Sequence, residues 1–271
     1  MFPDYHLHSE FSSDSDTNLY DIIHAAKEKQ MTSVCITDHF DMDFPELPQA
    51  PGMNFDLDID RYYKTLCALR EELVPDFDLR IGVELGIMPT TTEKLKKYVK
   101  EHPIFDFIIA SVHLVDGMDP YYQSYFEGKT EHEAFARYFE NILYFAKNFE
   151  DYDVCGHLDY IVRYGAHQAD NYTPGDYADI FEPLMETIVS KGKGIEINTG
   201  SLYKNLSFPH PHADLLKMYK RAGGEIITIG SDAHKPQYIG YGFDFAKDYL
   251  LSNGFKYYST FKNRKPEFHR I

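Results

Sequence analysis

Short runs of apolar and β-branched residues recur along this chain, and each is followed by a stretch of helical periodicity. That alternation restricts the possible folds more than any other feature. The runs are Ser33-Val34-Cys35-Ile36-Thr37, Leu79-Arg80-Ile81-Gly82-Val83, Phe105-Asp106-Phe107-Ile108-Ile109-Ala110, Tyr152-Asp153-Val154-Cys155, Gly194-Ile195-Glu196-Ile197 and Glu225-Ile226-Ile227-Thr228-Ile229. An opening strand is expected over residues 2–7. Runs of this kind read as strands buried on both faces, as in parallel sheets. Between them, Leu19, Ile22, Ile23 and Ala26 have helical spacing behind an Asn18 cap, and Tyr62, Leu66, Leu69 and Leu73 follow Asp58 in the same way. Thr90-x-x-Glu93 and Thr130-x-x-Glu133 read as capping boxes, the second opening a helix with Phe135, Tyr138, Phe139, Ile142 and Ala146 on one face. Pro183 is expected in the first turn of a helix running to about Ser190. Later helices end at Gly223-Gly224 and Asn253-Gly254. Strand–helix alternation predicts a parallel α/β fold, and seven units without a glycine-rich nucleotide loop favour a barrel over a doubly wound sheet.

Composition narrows the function. The chain has 271 residues, 43% of them apolar, so one α/β domain over residues 1–271 has ample core. A net charge of −16 argues against binding nucleic acid or an anionic membrane surface. No stretch is apolar enough to span a bilayer, and Met1-Phe2-Pro3-Asp4-Tyr5-His6 carries no secretory signal, so a cytoplasmic protein is expected. Cys35, Cys67 and Cys155 are too few and too scattered for a disulfide framework. Against these, 13 histidines accompany 43 carboxylates, a surplus of metal-capable side chains.

Those side chains fall where strands end. The expected first strand closes with His6-Leu7-His8, whose i, i+2 spacing turns both imidazoles to one face. Later strands close with Thr37-Asp38-His39, Val83-Glu84, Val112-His113, Gly156-His157 and Asp232-Ala233-His234. In a barrel these ends share one mouth, the usual place of an active site. A charged group at a buried strand end is costly unless paired or coordinated, so the recurrence predicts a metal centre. Asp14, six residues after His8, is near enough to fold over the same mouth, although a turn carboxylate is the commoner role. Asp38 and Asp159 are expected to support the adjacent histidines, which as ligands would need an acceptor for their second N–H.

The order of these motifs resembles that of the PHP (polymerase and histidinol phosphatase) family, from His6 to His234. The segments Gly156-His157-Leu158-Asp159-Tyr160-Ile161-Val162-Arg163-Tyr164 and Glu196-Ile197-Asn198-Thr199 are most similar to its stand-alone histidinol phosphatases. The resemblance implies a single distorted (β/α)7 TIM-like barrel with three divalent ions, zinc foremost, iron or manganese also fitting. One ion would take His6, His8, Glu84 and Asp232. A second would share Glu84 and take His113 and His157, and a third Asp14, His39 and His234. It also implies hydrolysis of L-histidinol phosphate by a metal-bridging hydroxide, with Glu84, Asp232 and His234 in the catalytic machinery. A related hydrolase acting on another small phosphorylated metabolite or nucleotide is the alternative. An amidohydrolase-type barrel also opens with His-x-His but would usually need an eighth unit.

Phosphate needs a cation besides the metals. Arg163 is the expected clamp because a guanidinium matches phosphate bidentately, with Lys204 and Lys235 as further candidates. Asn198 opens a turn, Asn198-Thr199-Gly200-Ser201-Leu202-Tyr203-Lys204, that departs from the family's usual order, leaving open which basic group it offers. The cationic part of the substrate is expected to meet the acidic insert over residues 40–56, with Asp41, Asp43 and Glu46, or tyrosines near Tyr121 and Tyr122. The inserts over 40–56 and 114–129 are long enough to serve as lids. Asp232 or a metal-bound water would protonate the departing alcohol.

Overall fold

A computed structural model describes residues 2–271. Parallel strands β1 (Ser33–Ile36) and β2 (His39–Phe40) both pair with β3 (Asp78–Gly86). The sheet continues through β4 (Phe107–Ser111), β5 (Val154–Cys155), β6 (Gly194–Asn198) and β7 (Ile227–Gly230). Helices α1 (Leu19–Glu28), α2 (Ile59–Leu73), α3 (Thr92–Glu101), α4 (Glu131–Asn148), α5 (Ala178–Ser190), α6 (Ala213–Arg221) and α7 (Phe243–Ser252) alternate with these strands.

The opening segment is less regular than a full strand, with only isolated bridges from Asp4 to Val34 and from Leu7 to Ala233. It still closes the barrel. Tyr5 N donates to Ile229 O and His8 N to Ala233 O, while Cys35 N and Thr37 N donate to Asp4 O and Leu7 O. Asp4 locks this seam, accepting from Ser231 N (2.9 Å), Ser231 Oγ (2.5 Å) and Gly240 N (2.8 Å). With this segment, and with β1 and β2 taken as one interrupted strand, the architecture is the expected distorted (β/α)7 barrel.

Asn18 and Asp58 cap α1 and α2 through their side chains, and the Thr130–Glu133 capping box makes both of its bonds. The Thr90–Glu93 box does not form. Helix α3 begins at Thr92, and the hydroxyls of Thr91 and Thr92 turn back to Met88 O. Pro183 lies inside α5, not in its first turn, because a 3-10 turn at Pro174–Tyr177 starts the helical path earlier.

The sequence reading missed the C-terminal hairpin, β8 (Tyr257–Lys262) with β9 (Lys265–Arg270). Its turn, Asn263-Arg264, has φ of +48° and +63°, a conformation usually signalled by Asn-Gly and here unannounced. The hairpin plugs the N-terminal end of the barrel. Phe261 packs with Tyr5, Cys35, Phe107, Ile109 and Val154 inside it. Asp106 accepts from Asn263 N (3.0 Å), and Arg264 Nε donates to Asp153 (2.5 Å). Among the described residues no helix is long and apolar enough to cross a membrane.

Candidate metal centre and cavity

Above the apolar plug the barrel interior turns polar, and the strands' period of two sets the change. On β3, Gly82 and Glu84 share the inward face; on β4, Phe107, Ile109 and Ser111 do so. His113, His157 and Asp232 each sit two residues past the end of their strand. The structure brings together His6, His8, Asp14, His39, Glu84, His113, His157, Asp232 and His234 from across the chain.

Glu84, fully buried, is the hub. Its Oε1 lies 3.0 Å from His157 Nε2 and 3.2 Å from His113 Nε2, and accepts from Ser111 Oγ at 2.6 Å. Its Oε2 lies 3.1 Å from His6 Nε2, 3.0 Å from His39 Nδ1 and 3.6 Å from His8 Nε2. His8 Nε2 is 3.3 Å from Asp232 Oδ1, and Asp14 Oδ2 is 3.0 Å from His234 Nε2 and 3.6 Å from His39 Nε2. Asp232 adopts φ +55°, which Asp tolerates better than most residues. Its backbone is held there by His6 O and Tyr203 Oη, and Asn198 Nδ2 donates to its Oδ2 (3.3 Å).

Whether these residues suit a cation can be tested on their unused atoms. His6 Nε2, His8 Nε2, His39 Nδ1 and Glu84 Oε2 are buried and lack a hydrogen-bond partner despite their proximity. Buried polar atoms are normally satisfied, so lone pairs converging without bonds are what a coordination site requires. The atoms of His6, His8 and Asp232 lie within 4.8 Å of one another, as do those of Glu84, His113 and His157, and those of His8, His39 and His234. The electrostatics agree. Burial works against a charged His6, yet Glu196, Glu84 and Asp232 hold its pKa well above the ordinary value. For His113, Asp41 and Glu84 overcome burial and push it to about 10. Burial disfavours charge on Glu84, but His6, His113 and His39 hold it well below the carboxylate range. The carboxylates thus demand positive charge in the bowl, which protons or metal ions can supply. The residues fit a divalent cation site.

The supporting contacts differ in part from expectation. Asp38 acts through serines, accepting from Ser9 N (2.6 Å), Ser9 Oγ (2.7 Å) and Ser12 Oγ (2.6 Å), and Ser12 Oγ in turn meets His8 Nδ1 (3.2 Å). Asp159 does not touch His157. It pairs with buried His210 (2.7 Å), because the first 3-10 turn after β5 swings it toward the following wall. Glu196, which the sequence motif contains but which is assigned no role there, is the inward carboxylate of β6. Its Oε2 lies 2.8 Å from His6 Nδ1, and its Oε1 accepts from His157 N (2.7 Å) and Asn198 Nδ2 (3.0 Å).

A cavity of about 480 Å³ opens over the bowl, lined by parts of both long inserts, which Gln49 and Ser124 join at 3.2 Å. Arg163, Lys204 and Lys235 lie on its wall. The Arg163 guanidinium is buried, stacks 3.8 Å from the Tyr160 ring centroid and leaves Nε and Nη1 without partners. Burial against the cavity wall and repulsion from Arg163 bring Lys204 down to about 8. Three expected substrate contacts are placed otherwise. Asn198 is fully buried, its amide spent on Glu196, Asp232 and Gly200 N. Asp41 reaches the cavity but binds His113 Nδ1 (2.7 Å). Asp43 points outward to Lys94 and does not line the cavity, because residues that follow it, Phe44, Met53 and Phe55, form that wall.

Comparison with known proteins agrees with this geometry. The PHP domain model matches residues 4–200. Histidinol-phosphatase of Lactococcus lactis is 31% identical over 263 residues, 97% of this chain and 95% of that protein. A probable histidinol-phosphatase of Clostridium acetobutylicum is 32% identical, covering 90% of each chain. The crystal structure of the Lactococcus lactis enzyme, complexed with zinc, L-histidinol and phosphate, superposes with a TM-score of 0.87 and covers 98% of both chains. A putative histidinol phosphatase of Listeria monocytogenes, at 16% identity and a TM-score of 0.77, shares the fold over 90% of this chain and 99% of its own. With the PHP domain model matching residues 4–200 and a relative of 31% identity matched over 97% of the chain, the chain belongs to the PHP-domain family.

Proposed function

We propose that this chain, acting as one domain, hydrolyses L-histidinol phosphate to L-histidinol and inorganic phosphate with the aid of bound divalent cations. The observation that carries the reading is the bowl of unpartnered imidazole and carboxylate atoms beneath a cavity whose wall holds an unpaired, buried arginine. The crystal structure of the Lactococcus lactis relative, complexed with zinc, L-histidinol and phosphate, points to the same substrate.

His6, His8, Glu84 and Asp232 would hold one ion, Glu84, His113 and His157 a second, and Asp14, His39 and His234 a third. Imidazole and carboxylate donors without thiolates suit zinc, with iron or manganese as substitutes. When bound, such ions lower the pKa of a coordinated water toward about 7 and offset the negative charge of the phosphoryl oxygens.

The chain's own groups do the rest. Glu84, with one oxygen toward His113 and His157 and the other toward His6 and His39, fixes the spacing of two ligand sets. Arg163, whose guanidinium plane is held by stacking on Tyr160 and Tyr164, would bring positive charge to phosphate from the cavity wall. Lys204 and Lys235 add charge at the rim. Asp232 lies at the cavity wall, where it would hold an ion, and Asn198 Nδ2 donates to its Oδ2.

The test is metal analysis of the purified protein together with phosphate release from L-histidinol phosphate, nucleoside monophosphates and a simple aryl phosphate. Zinc-class metal and a clear preference for L-histidinol phosphate are expected. Equal or faster turnover of nucleotides would overturn the substrate assignment.

A further inference from the structure

The cavity carries one acidic group with no assigned task. Four carboxylates line it: Asp14, Asp41, Asp119 and Asp232. Asp14 meets His39 and His234, Asp41 meets His113, and Asp232 meets His8. Asp119, from the second insert, makes no ion pair among the described residues. Its Oδ1 accepts from Tyr121 N at 2.8 Å, and no described protein group donates to its Oδ2. The remaining free oxygen of Asp41 is no rival, because it is sealed from the cavity by burial.

The surroundings of Asp119 favour a visiting cation. Burial pushes its pKa up, with Tyr121 N, His113 and Arg163 offsetting part of the rise and Asp41 adding to it, so its charge is not fully compensated within the cavity. Tyr121, Tyr122, Tyr160 and Tyr164 line the same cavity, and the Tyr121 and Tyr164 rings meet edge to face at 5.5 Å. Aromatic faces next to a carboxylate suit an organic cation, which gains both charge pairing and ring contact. The other polar resources of the cavity, Arg163, Lys204 and Lys235, repel a cation and attract phosphate. A phosphate ester with a positively charged arm would therefore favour the orientation with its phosphate toward these cations and its arm toward Asp119.

Building on the function proposed above, we infer that Asp119 is a specificity-determining residue, whose carboxylate takes a cationic nitrogen of the substrate while the phosphate lies over the bowl. That nitrogen is the ammonium or the imidazolium of L-histidinol phosphate. The choice of an ester with such an arm over a plain phosphate ester rests on this contact.

The readout is a selectivity, kcat/KM for L-histidinol phosphate divided by kcat/KM for 4-nitrophenyl phosphate, measured on the metal-loaded enzyme. Asp119→Asn keeps the acceptor for Tyr121 N and removes the charge. It is expected to lower the selectivity about tenfold or more, the range for losing a charge-assisted contact, chiefly through KM for L-histidinol phosphate. Asp119→Glu should retain more of the selectivity than Asp119→Asn. The inhibition constant of L-histidinol should rise in parallel, since that product carries the cation without phosphate. Wild-type selectivity that persists to about pH 7.5 and falls only above about pH 8 assigns the ammonium, and selectivity that falls through about pH 6.5 assigns the imidazolium. If Asp119→Asn leaves the selectivity unchanged, however much both rates fall, the inference is wrong and the proposed function stands. If the wild-type chain shows no preference for L-histidinol phosphate, the proposed function fails and this inference with it.

Discussion

At the scale of single residues, the bowl is a problem of charge neutralisation. Glu84 is buried and close to five imidazoles, so its charge is what makes clustered cations tolerable. Glu84→Gln keeps the shape and removes the charge. We expect metal content to fall and phosphate release to drop by about a thousandfold or more, measured by elemental analysis and turnover. Glu196 acts at one remove, orienting His6 through Nδ1 and the His157 backbone through its other oxygen. Glu196→Gln should weaken metal affinity by about 10- to 100-fold in a chelator competition, with the fold intact by circular dichroism. Lys204 supplies the pH dependence. A lysine lowered to about 8 by burial and by Arg163 is charged below that pH and loses its charge as pH rises through it. KM should therefore climb above about pH 8, and Lys204→Arg, which stays charged, should push that rise to higher pH.

At the scale of elements, the strands succeed by leaving room where they must pass close. At Gly230, the last residue of β7, any Cβ would overlap the Cβ of His6 on the opening segment. Gly230→Ala should cost about 1–3 kcal/mol in denaturant unfolding and displace His6, lowering metal affinity as well. A destabilised protein that bound metal normally would contradict this, because the seam and the bowl share that contact. The same scale shows how far sequence patterns carry. The Thr130 box could be read because its partners lie within one turn of helix. The Thr90 box failed because Met88 O offered nearby hydroxyls a competing acceptor.

At the scale of the whole molecule, the two ends of the barrel do different work. The N-terminal end is stability, sealed by the hairpin through Phe261, Asp106 and Arg264. Phe261→Ala should cost about 3–5 kcal/mol and lower the melting temperature, while metal content per folded molecule is retained. The C-terminal end carries the chemistry, and there the bound ions should stabilise the fold by mass action. Chelation should lower the melting temperature, and added zinc should restore it in a concentration-dependent manner.

What the sequence determined by itself was the barrel and the rank of histidines and carboxylates at its strand ends. Both follow from local rules: apolar runs make buried strands, and a period of two decides which side chains share a face. The sequence could not say which of those groups face each other and which are spent elsewhere. Asp43 next to Asp41 turns to Lys94, Asp159 near His157 turns to His210, and Asn198 is consumed inside the wall. Glu196 and Asp119 matter only through neighbours that are distant in the chain, His6 for one and the open cavity for the other. Only tertiary packing decides such pairings, because a buried polar group must find its partner in space, and spacing along the chain does not reveal who that partner is.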